Sequence, residues 1–438
     1  MRFEEARAYL LSLGHETLAM KLGLESVRAL LAALGHPERR FFSVQIAGIN
    51  GKGSTAAMLH AAAREAGVRA GLYTSPHLVS VTERVRTNEG EIPERRFAEV
   101  VTRVRDASLE LEMTGGALPT FFEQVTAAAL LFFAEEGVEL AILETGLGGR
   151  LDATTAADAR VVSLTPVALD HQEYLGPTLA HIAAEKAAVV RRGITRAVCL
   201  APQEPEAERV ILRACEEAAL APREATRDIR VESACERGRL SATFRTRREV
   251  YEHVCLSLRG RHQLTNAALA VELAETLTEF GFPFGREHVV AGLERAEHAG
   301  RLELFEGTPS FLFDGAHNPA GALALRAYLD EFVRAPVTLV FGAMRDKELK
   351  EIAAALFPAA REVVLTRPTN ARAAEPADIR RALSFPPESV TITLAPNVSE
   401  AVSVARQRTP PGGIVCVTGS LYLVGEARRE VTSDKGSR

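Results

Sequence analysis

Gly48-Ile49-Asn50-Gly51-Lys52-Gly53-Ser54-Thr55 follows the short apolar run Phe42 to Ala47 (FSVQIA) and leads into a stretch of helical composition from Ser54 to Gly67. A glycine-rich turn between strand and helix points backbone N–H groups at an anion, and the helix N-terminus adds partial positive charge. Lys52 can reach terminal phosphates, and Ser54 or Thr55 can approach a magnesium ion. The strict pattern G-x-x-x-x-G-K-[ST] is not met. The first glycine comes too late, and Gly53 separates the lysine from the hydroxyl. Such a turn is often merely structural. The strand before it and the hydroxyl pair favour a nucleotide.

Outward from this turn the chain keeps one rhythm of strand, glycine-rich turn and helix. Arg69 to Thr74, Glu139 to Glu144 and Val161 to Thr165 read as strands, and Phe121 to Glu136 as a long apolar helix. Thr178 to Arg192 reads as a helix with a threonine N-cap and a stop at Gly193. This alternation implies a parallel sheet covered by helices. Asp228 to Leu258 shifts to a period of two and suggests a small antiparallel insertion. Helices are expected over His262 to Phe280 and Arg286 to Ala296. After Gly300 the alternation resumes, with strands at Ser310 to Phe313, Val337 to Phe341, Glu362 to Thr366, Val390 to Leu394 and Ile414 to Thr418. The boundary is placed near residue 298, giving domains 1–297 and 298–438. Thr432 to Arg438 is expected to be a frayed tail.

Composition excludes several classes. The 438 residues carry 52 Lys and Arg against 57 Asp and Glu, a net charge of −5, which argues against a dedicated nucleic-acid binder. A hydrophobic share of 47% is too high for a disordered chain. The longest apolar run, Ala127 to Ala134, is far short of the ~20 residues a membrane span needs. Glu4 and Glu5 interrupt the N-terminus early, so no signal peptide is read. Five cysteines without a C-x-x-C pair argue against a disulfide framework or zinc knuckle and fit a reduced cytosol. A cytoplasmic protein is expected.

A second glycine cluster, Glu144-Thr145-Gly146-Leu147-Gly148-Gly149-Arg150-Leu151-Asp152, follows the Glu139 to Glu144 strand. Ligands in doubly wound sheets collect beyond the carboxyl ends of strands, where Glu144 can offer an oxygen to Mg²⁺. Taken alone, a plain strand-to-loop turn with a solvated glutamate is the slightly better reading. Asp170-His171 lies after the next strand. Lys186 falls in mid-helix among alanines, where a lysine is usually a solvated face residue.

Ten motifs stand in one order: GINGKGST, TSPHL (Thr74 to Leu78), ERVRTN (Glu83 to Asn88), TFFE (Thr120 to Glu123), ETGLGGRLDAT (Glu144 to Thr154), DHQEYLG (Asp170 to Gly176), EKA (Glu185 to Ala187), HQLTNAA (His262 to Ala268), GRLE (Gly300 to Glu303) and DGAHNP (Asp314 to Pro319). GSLYLVGEAR (Gly419 to Arg428) fits as well. In this the chain resembles the folylpolyglutamate synthase and dihydrofolate synthase family, a branch of the Mur-ligase superfamily. The resemblance implies an α/β fold: an N-terminal P-loop-type ATPase domain with a small antiparallel insertion, then a C-terminal Rossmann-like domain.

It also implies a monomeric ATP-dependent ligase adding L-glutamate to dihydropteroate and to the γ-carboxylate of folates, with no nucleic-acid or membrane partner. Gly51, Lys52, Gly53 and Ser54 match the ATP phosphate site, and Asn266, Arg301 and Asp314 match further ATP contacts. Ser75 and Glu144 match the ligands of one Mg²⁺ and His171 those of a second. Lys186 matches a lysine carbamylated in this family; as a carbamate it is an anionic oxygen donor, whereas a bare ammonium would repel metals. Thr120, Phe121, Phe122, Glu123, Leu151, Asp152 and Ala153 match the dihydropteroate pocket, although TFFE also reads as a helix start packed in a core. His317 is a candidate for contacting glutamate and equally a turn-stabilising histidine.

Three positions depart from the family pattern: Ile49 for threonine, Thr155 for asparagine, and Glu297-His298-Ala299 where an aromatic and a proline are common. Competing readings are a polyglutamylating enzyme alone, a ligase of peptidoglycan precursors, and a nucleotide-binding regulator without ligase chemistry.

Overall fold

The structure, a computed structural model, describes residues 1–14, 23–383 and 390–433. Eight strands form the first sheet: β1 (Phe42–Ala47), β2 (Ala70–Tyr73), β3 (Val85–Thr87), β4 (Gly90–Glu91), β5 (Leu140–Glu144), β6 (Val161–Leu164), β7 (Ala197–Leu200) and β8 (Arg223–Glu224). Their order is β4-β3-β2-β5-β1-β6-β7-β8, parallel from β2 to β8 and antiparallel at the β3 and β4 edge. Alternate strand residues face opposite layers. Val44, Ile46 and Ile142 pack with the Lys52–Glu65 and His262–Thr278 helices, whereas Ala141 and Leu143 pack with the Phe121–Glu135 helix. Each fully buried aliphatic side chain contributes roughly 1.5–3 kcal/mol, which explains why strands covered on both faces read as unbroken apolar runs.

The expected insertion is a three-stranded antiparallel sheet of β9 (Ile229–Ala234), β10 (Leu240–Arg245) and β11 (Val250–Cys255), in the order β11-β10-β9. Its Ala242, Phe244, Tyr251 and Val254 join the core around the His262–Thr278 helix. The chain then passes through residues 296–302 into a second sheet of β12 (Glu303–Phe305), β13 (Ser310–Phe313), β14 (Val337–Phe341), β15 (Glu362–Leu365), β16 (Thr391–Leu394) and β17 (Ile414–Thr418). The order is β12-β13-β17-β14-β15-β16, parallel except at β12. The fold is the expected α/β one.

The connecting segment is held on its C-terminal side. Asp314 accepts the Leu302 N–H at 2.9 Å and the Ala316 N–H at 3.0 Å, and Gly315 donates to the Gly300 carbonyl at 2.8 Å. Leu302 adopts φ +46°, a left-handed conformation unusual for a leucine. Two expectations are corrected. The helix expected over Thr178 to Arg192 ends at Ala187, because the Glu185 carbonyl accepts the Arg150 N–H at 3.1 Å from the neighbouring loop. The last helix runs from Leu421 to Ser433, so Thr432 is not in a tail; residues 434–438 lie outside the described ones. Among the described residues no helix is long and apolar enough to cross a membrane.

Candidate functional site

The β1-to-helix turn is shaped by what its glycines exclude. Gly51 caps the Lys52–Glu65 helix at φ +91°, and a Cβ there would lie 2.1 Å from Asn266 Oδ1. A Cβ on Gly53 would lie 2.2 Å from His298 Cε1 and 3.2 Å from Glu144 Oε2. The turn is therefore packed between the His262–Thr278 helix, the connecting segment and the end of β5. Buried Ser54 accepts from Gln263 Nε2 at 3.4 Å, and Asn266 donates to Gln263 Oε1 at 2.8 Å. Ile49 is half-buried and packs against the apolar cluster that includes Leu164 and Val167.

Lys52 folds back to donate to the Ile49 carbonyl at 3.0 Å. Burial pushes its ammonium below the usual lysine range, opposed by the Glu144 and Asp170 charges. Glu144 is buried at the end of β5, and burial raises its carboxyl against the pull of Lys52. Its Oε2 accepts the Ser75 N–H at 3.1 Å, which brings together the two residues expected to share a metal.

Lys186 stands in the last turn of its helix and is 1% exposed. Burial, then the charge of Lys52, lowers its pKa to about 7, while Asp152, Asp170 and Glu144 act in the opposite sense. Gly149 makes this possible: a Cβ there would lie 2.6 Å from the Glu185 carbonyl oxygen and 3.0 Å from that of Lys186. Asp152 serves the same loop. Its carboxylate accepts from Leu147 N–H at 2.9 Å and from Thr154 N–H at 3.0 Å. Thr155 donates to the Gly149 carbonyl at 2.7 Å, a bond that accounts for a threonine at this position.

A cleft of about 640 Å³ opens beside these residues. Thr120, Phe122, Glu123, Leu151, Asp152 and Ala153 line it, as do Ser75, His171 and His317. Thr120 and Glu123 form a reciprocal helix cap: Glu123 Oε2 accepts the Thr120 N–H at 2.7 Å, and Thr120 Oγ1 accepts the Glu123 N–H at 3.4 Å. The other Glu123 oxygen is buried without a partner among the described residues. Phe122 leans over Gly146, where a Cβ would lie 2.5 Å from its Cζ. Phe121 instead packs in the core below the Arg84 guanidinium, 5.5 Å from its ring centroid, and does not line the cleft.

The far wall comes from the second sheet. His317 donates through Nδ1 to the Gly315 carbonyl at 2.7 Å and turns Nε2 towards Asp170 at 3.4 Å. Asn318 donates to Asp170 Oδ2 at 3.0 Å and to Asn50 Oδ1 at 3.1 Å, joining the phosphate turn to the second sheet. Lys347 completes the group with an ion pair to Asp170. Arg301 lies under Gly315, where a Cβ would lie 2.4 Å from its Nη1. Asp314 is buried, and both of its oxygens serve backbone N–H groups, so it positions the segment that carries Arg301.

Sequence reading missed Lys347, Asn318, Gln263 and His298 as site residues. Lys347 had a usable signal: Met344-Arg345-Asp346-Lys347 lies beyond the carboxyl end of β14. His298 is half-buried against the phosphate turn, and burial lowers its pKa to about 3, so its ring is neutral.

The donor set suits a hard cation. Glu144 offers a carboxylate that accepts the Ser75 backbone N–H, and His171 Nδ1 is buried without a partner among the described residues. No three His, Cys, Asp or Glu side chains among the described residues converge on one point.

The chain matches the Mur ligase middle domain over residues 46–274 and the Mur ligase, glutamate ligase domain over residues 300–421. It is 32% identical to the dihydrofolate synthase/folylpolyglutamate synthase of Bacillus subtilis, covering 98% of this chain and 99% of that protein. It is 37% identical, over 98% of its length, to a probable bifunctional folylpolyglutamate synthase/dihydropteroate synthase of Haloferax volcanii, of which it spans 50%. The solved structure of E. coli FolC in complex with DHPP and ADP superposes with a TM-score of 0.86 at 28% identity, covering 99% of both chains. The match across both sheets, together with the near-complete alignment to the Bacillus enzyme, means that this chain belongs to the folylpolyglutamate synthase and dihydrofolate synthase family of Mur ligases.

Proposed function

We propose that this protein is an ATP-dependent ligase that adds L-glutamate to dihydropteroate and to the γ-carboxylate of folates, as a monomer in the cytoplasm. Residues 1–297 form the ATP- and pterin-binding domain, and residues 298–438 the domain that brings the amino acid. The observation that supports this reading is that Ser75 and His171 line the same cleft as Thr120, Phe122 and Glu123, with buried Glu144 bonded to the Ser75 N–H and the charges of Lys52 and Glu144 acting on buried Lys186.

A carboxylate is a poor electrophile, so the acid must first take the γ-phosphoryl group of ATP to become an acyl phosphate. The glutamate amine then attacks the carbonyl, and phosphate leaves. Gly51 to Ser54 hold the phosphates through backbone N–H groups, and Lys52 exchanges its bond to Ile49 for them. Asn266 flanks the turn, and Arg301 brings a second cation from the connecting segment. Ser75 and Glu144 would hold one magnesium ion and His171 a second, and such ions would neutralise charge for transfer between anions. Lys186 is present as its carbamate, for which its lowered pKa keeps a neutral amine available.

Holding acid, nucleotide and amine together supplies several kcal/mol, up to roughly 7–11 for ideal orientation. The acyl phosphate must be kept from water, and the Asp170, Asn318, His317 and Lys347 contacts close the cleft over it. The deciding experiment offers dihydropteroate and tetrahydrofolate separately, with ATP and glutamate, and resolves products by mass. Both are expected to gain glutamate with stoichiometric phosphate release. Extension of tetrahydrofolate alone overturns the dihydropteroate half, and phosphate release independent of glutamate overturns ligation.

A further inference from the structure

The five cysteines show no paired spacing, yet folding brings two of them together. Cys235 follows β9, Cys255 ends β11, and their sulfurs lie 3.0 Å apart. A bond would need ~2.05 Å, so a small movement suffices. Both residues are half-buried, whereas Cys199, Cys215 and Cys416 are buried.

The pair sits where the insertion meets the rest of the molecule. Cys235 begins the turn 235–239, which docks on the second domain. Tyr328 Oη donates to the Arg237 carbonyl at 2.9 Å, and Arg237 pairs with Glu306. A Cβ on Gly238 would lie 2.4 Å from the Tyr328 ring. Cys255 lies at the opposite end of the relationship. Its N–H donates to Glu294 at 3.1 Å, and Ser257, two residues on, donates to the Ala296 carbonyl at 2.6 Å, where the connecting segment begins. A covalent link between the sulfurs ties the docking turn to the strand whose following residue Ser257 bonds the start of this segment.

We propose that Cys235 and Cys255 form a reversible disulfide by exchange with a low-molecular-weight disulfide, and that the bond restrains domain movement and slows ligation. One cysteine thiolate attacks a sulfur of the external disulfide, forming a mixed disulfide and releasing one thiol. The second cysteine attacks the protein sulfur of that mixed disulfide, forming the internal bond and releasing the second thiol. The protein loses two electrons and two protons, and the external disulfide gains both. Burial, then Cys235, pushes the Cys255 thiol up to about 11.

Bond formation is independent of the ligase reading; only the turnover readout rests on it. The folded full-length protein is incubated with glutathione disulfide, alkylated and mapped without reduction. The expected product is a peptide joining Cys235 to Cys255, with ligation slowed at least about threefold and restored by dithiothreitol, as expected for a reversible exchange. Cys235→Ser and Cys255→Ala are expected to keep the reduced wild-type rate and to lose the response. Mixed disulfides with glutathione and no internal link overturn the pair. A complete internal link with unchanged turnover overturns its effect on ligation.

Discussion

Lys347 and Asp170 form an ion pair across the gap between the two sheets, and Asn318 and His317 face the other oxygen of the same carboxylate. Burial alone would raise this carboxyl. The His317 bond and the His317, His171 and Lys347 charges overcome it and hold Asp170 well below the usual carboxylate range. Removing one partner of a buried pair leaves a charge uncompensated, typically at about 3–5 kcal/mol. Lys347→Met is therefore expected to lower the melting temperature and to reduce kcat at least about tenfold, with little change in the KM for dihydropteroate. Calorimetry and initial rates check this; an unchanged melting point and rate would remove Lys347 from the closing contact.

Lys186 gives the molecule a pH signature. Its folded pKa is about 7, below the ordinary lysine value of 10.5, so between these limits the unfolded chain binds more protons than the folded one. Stability contributed through this group therefore rises as pH rises from 7. In carbon-dioxide-free buffer the gain from pH 7 to pH 9 is expected to be roughly 2–3 kcal/mol, and Lys186→Met is expected to lose that increment. Denaturant titrations of both proteins at the two pH values decide it.

Carbamylation needs the neutral amine, so bicarbonate should restore activity to carbon-dioxide-depleted enzyme more fully at pH 8 than at pH 6. Lys186→Ala is expected to retain the fold and to lose ligation at either pH. Labelled bicarbonate followed by carbon NMR reports the adduct directly. Wild-type turnover in Lys186→Ala would refute the carbamate role.

Gly149→Ala tests the close approach that seats Lys186. The new Cβ meets two backbone oxygens, those of Glu185 and Lys186, at 2.6 and 3.0 Å, and backbone cannot swing aside as a side-chain end can. Overpacking of this kind typically costs about 1–3 kcal/mol. The variant is expected to melt lower and to bind bicarbonate label poorly, while Gly115→Ala, with nothing within 4 Å, should not disturb labelling.

Glu123 separates a capping role from a binding one, since one oxygen caps the helix and the other has no partner among the described residues. Glu123→Gln keeps an oxygen for the Thr120 N–H. It should raise the KM for dihydropteroate about tenfold, with ATP little affected. Thr120→Val should instead cost about 1 kcal/mol of stability through the lost cap. Equal effects of Glu123→Gln on both substrates would count against pterin recognition by the free oxygen.

Much of this was legible in the sequence because strands buried on both faces leave apolar runs. Phe42–Ala47, Ser310–Phe313 and Val337–Phe341 match their observed bounds for that reason. The end of the Lys186 helix was not legible. Apolar periodicity continues through Val189 and Val190, which are buried, but the Arg150 N–H captures a helix carbonyl from a loop distant in sequence. Candidate residues on the glycine-rich turns, such as Lys52 and Glu144, do come near each other, because both turns leave the carboxyl ends of neighbouring strands. His298 depends on how two separately folded layers meet, which no local pattern records, whereas Lys347 had only its place beyond the end of β14 as a signal.

Asp314 and Gly315 fasten the Gly300–Leu302 peptide to the C-terminal sheet. Any swing between the two bodies must then pivot upstream, at residues 297–299, with Arg301 riding rigidly on the moving side. A small rotation about that axis sweeps Lys347 through a long arc yet barely shifts Arg301. The molecule can thus open its mouth while one cation keeps its station beside the hinge.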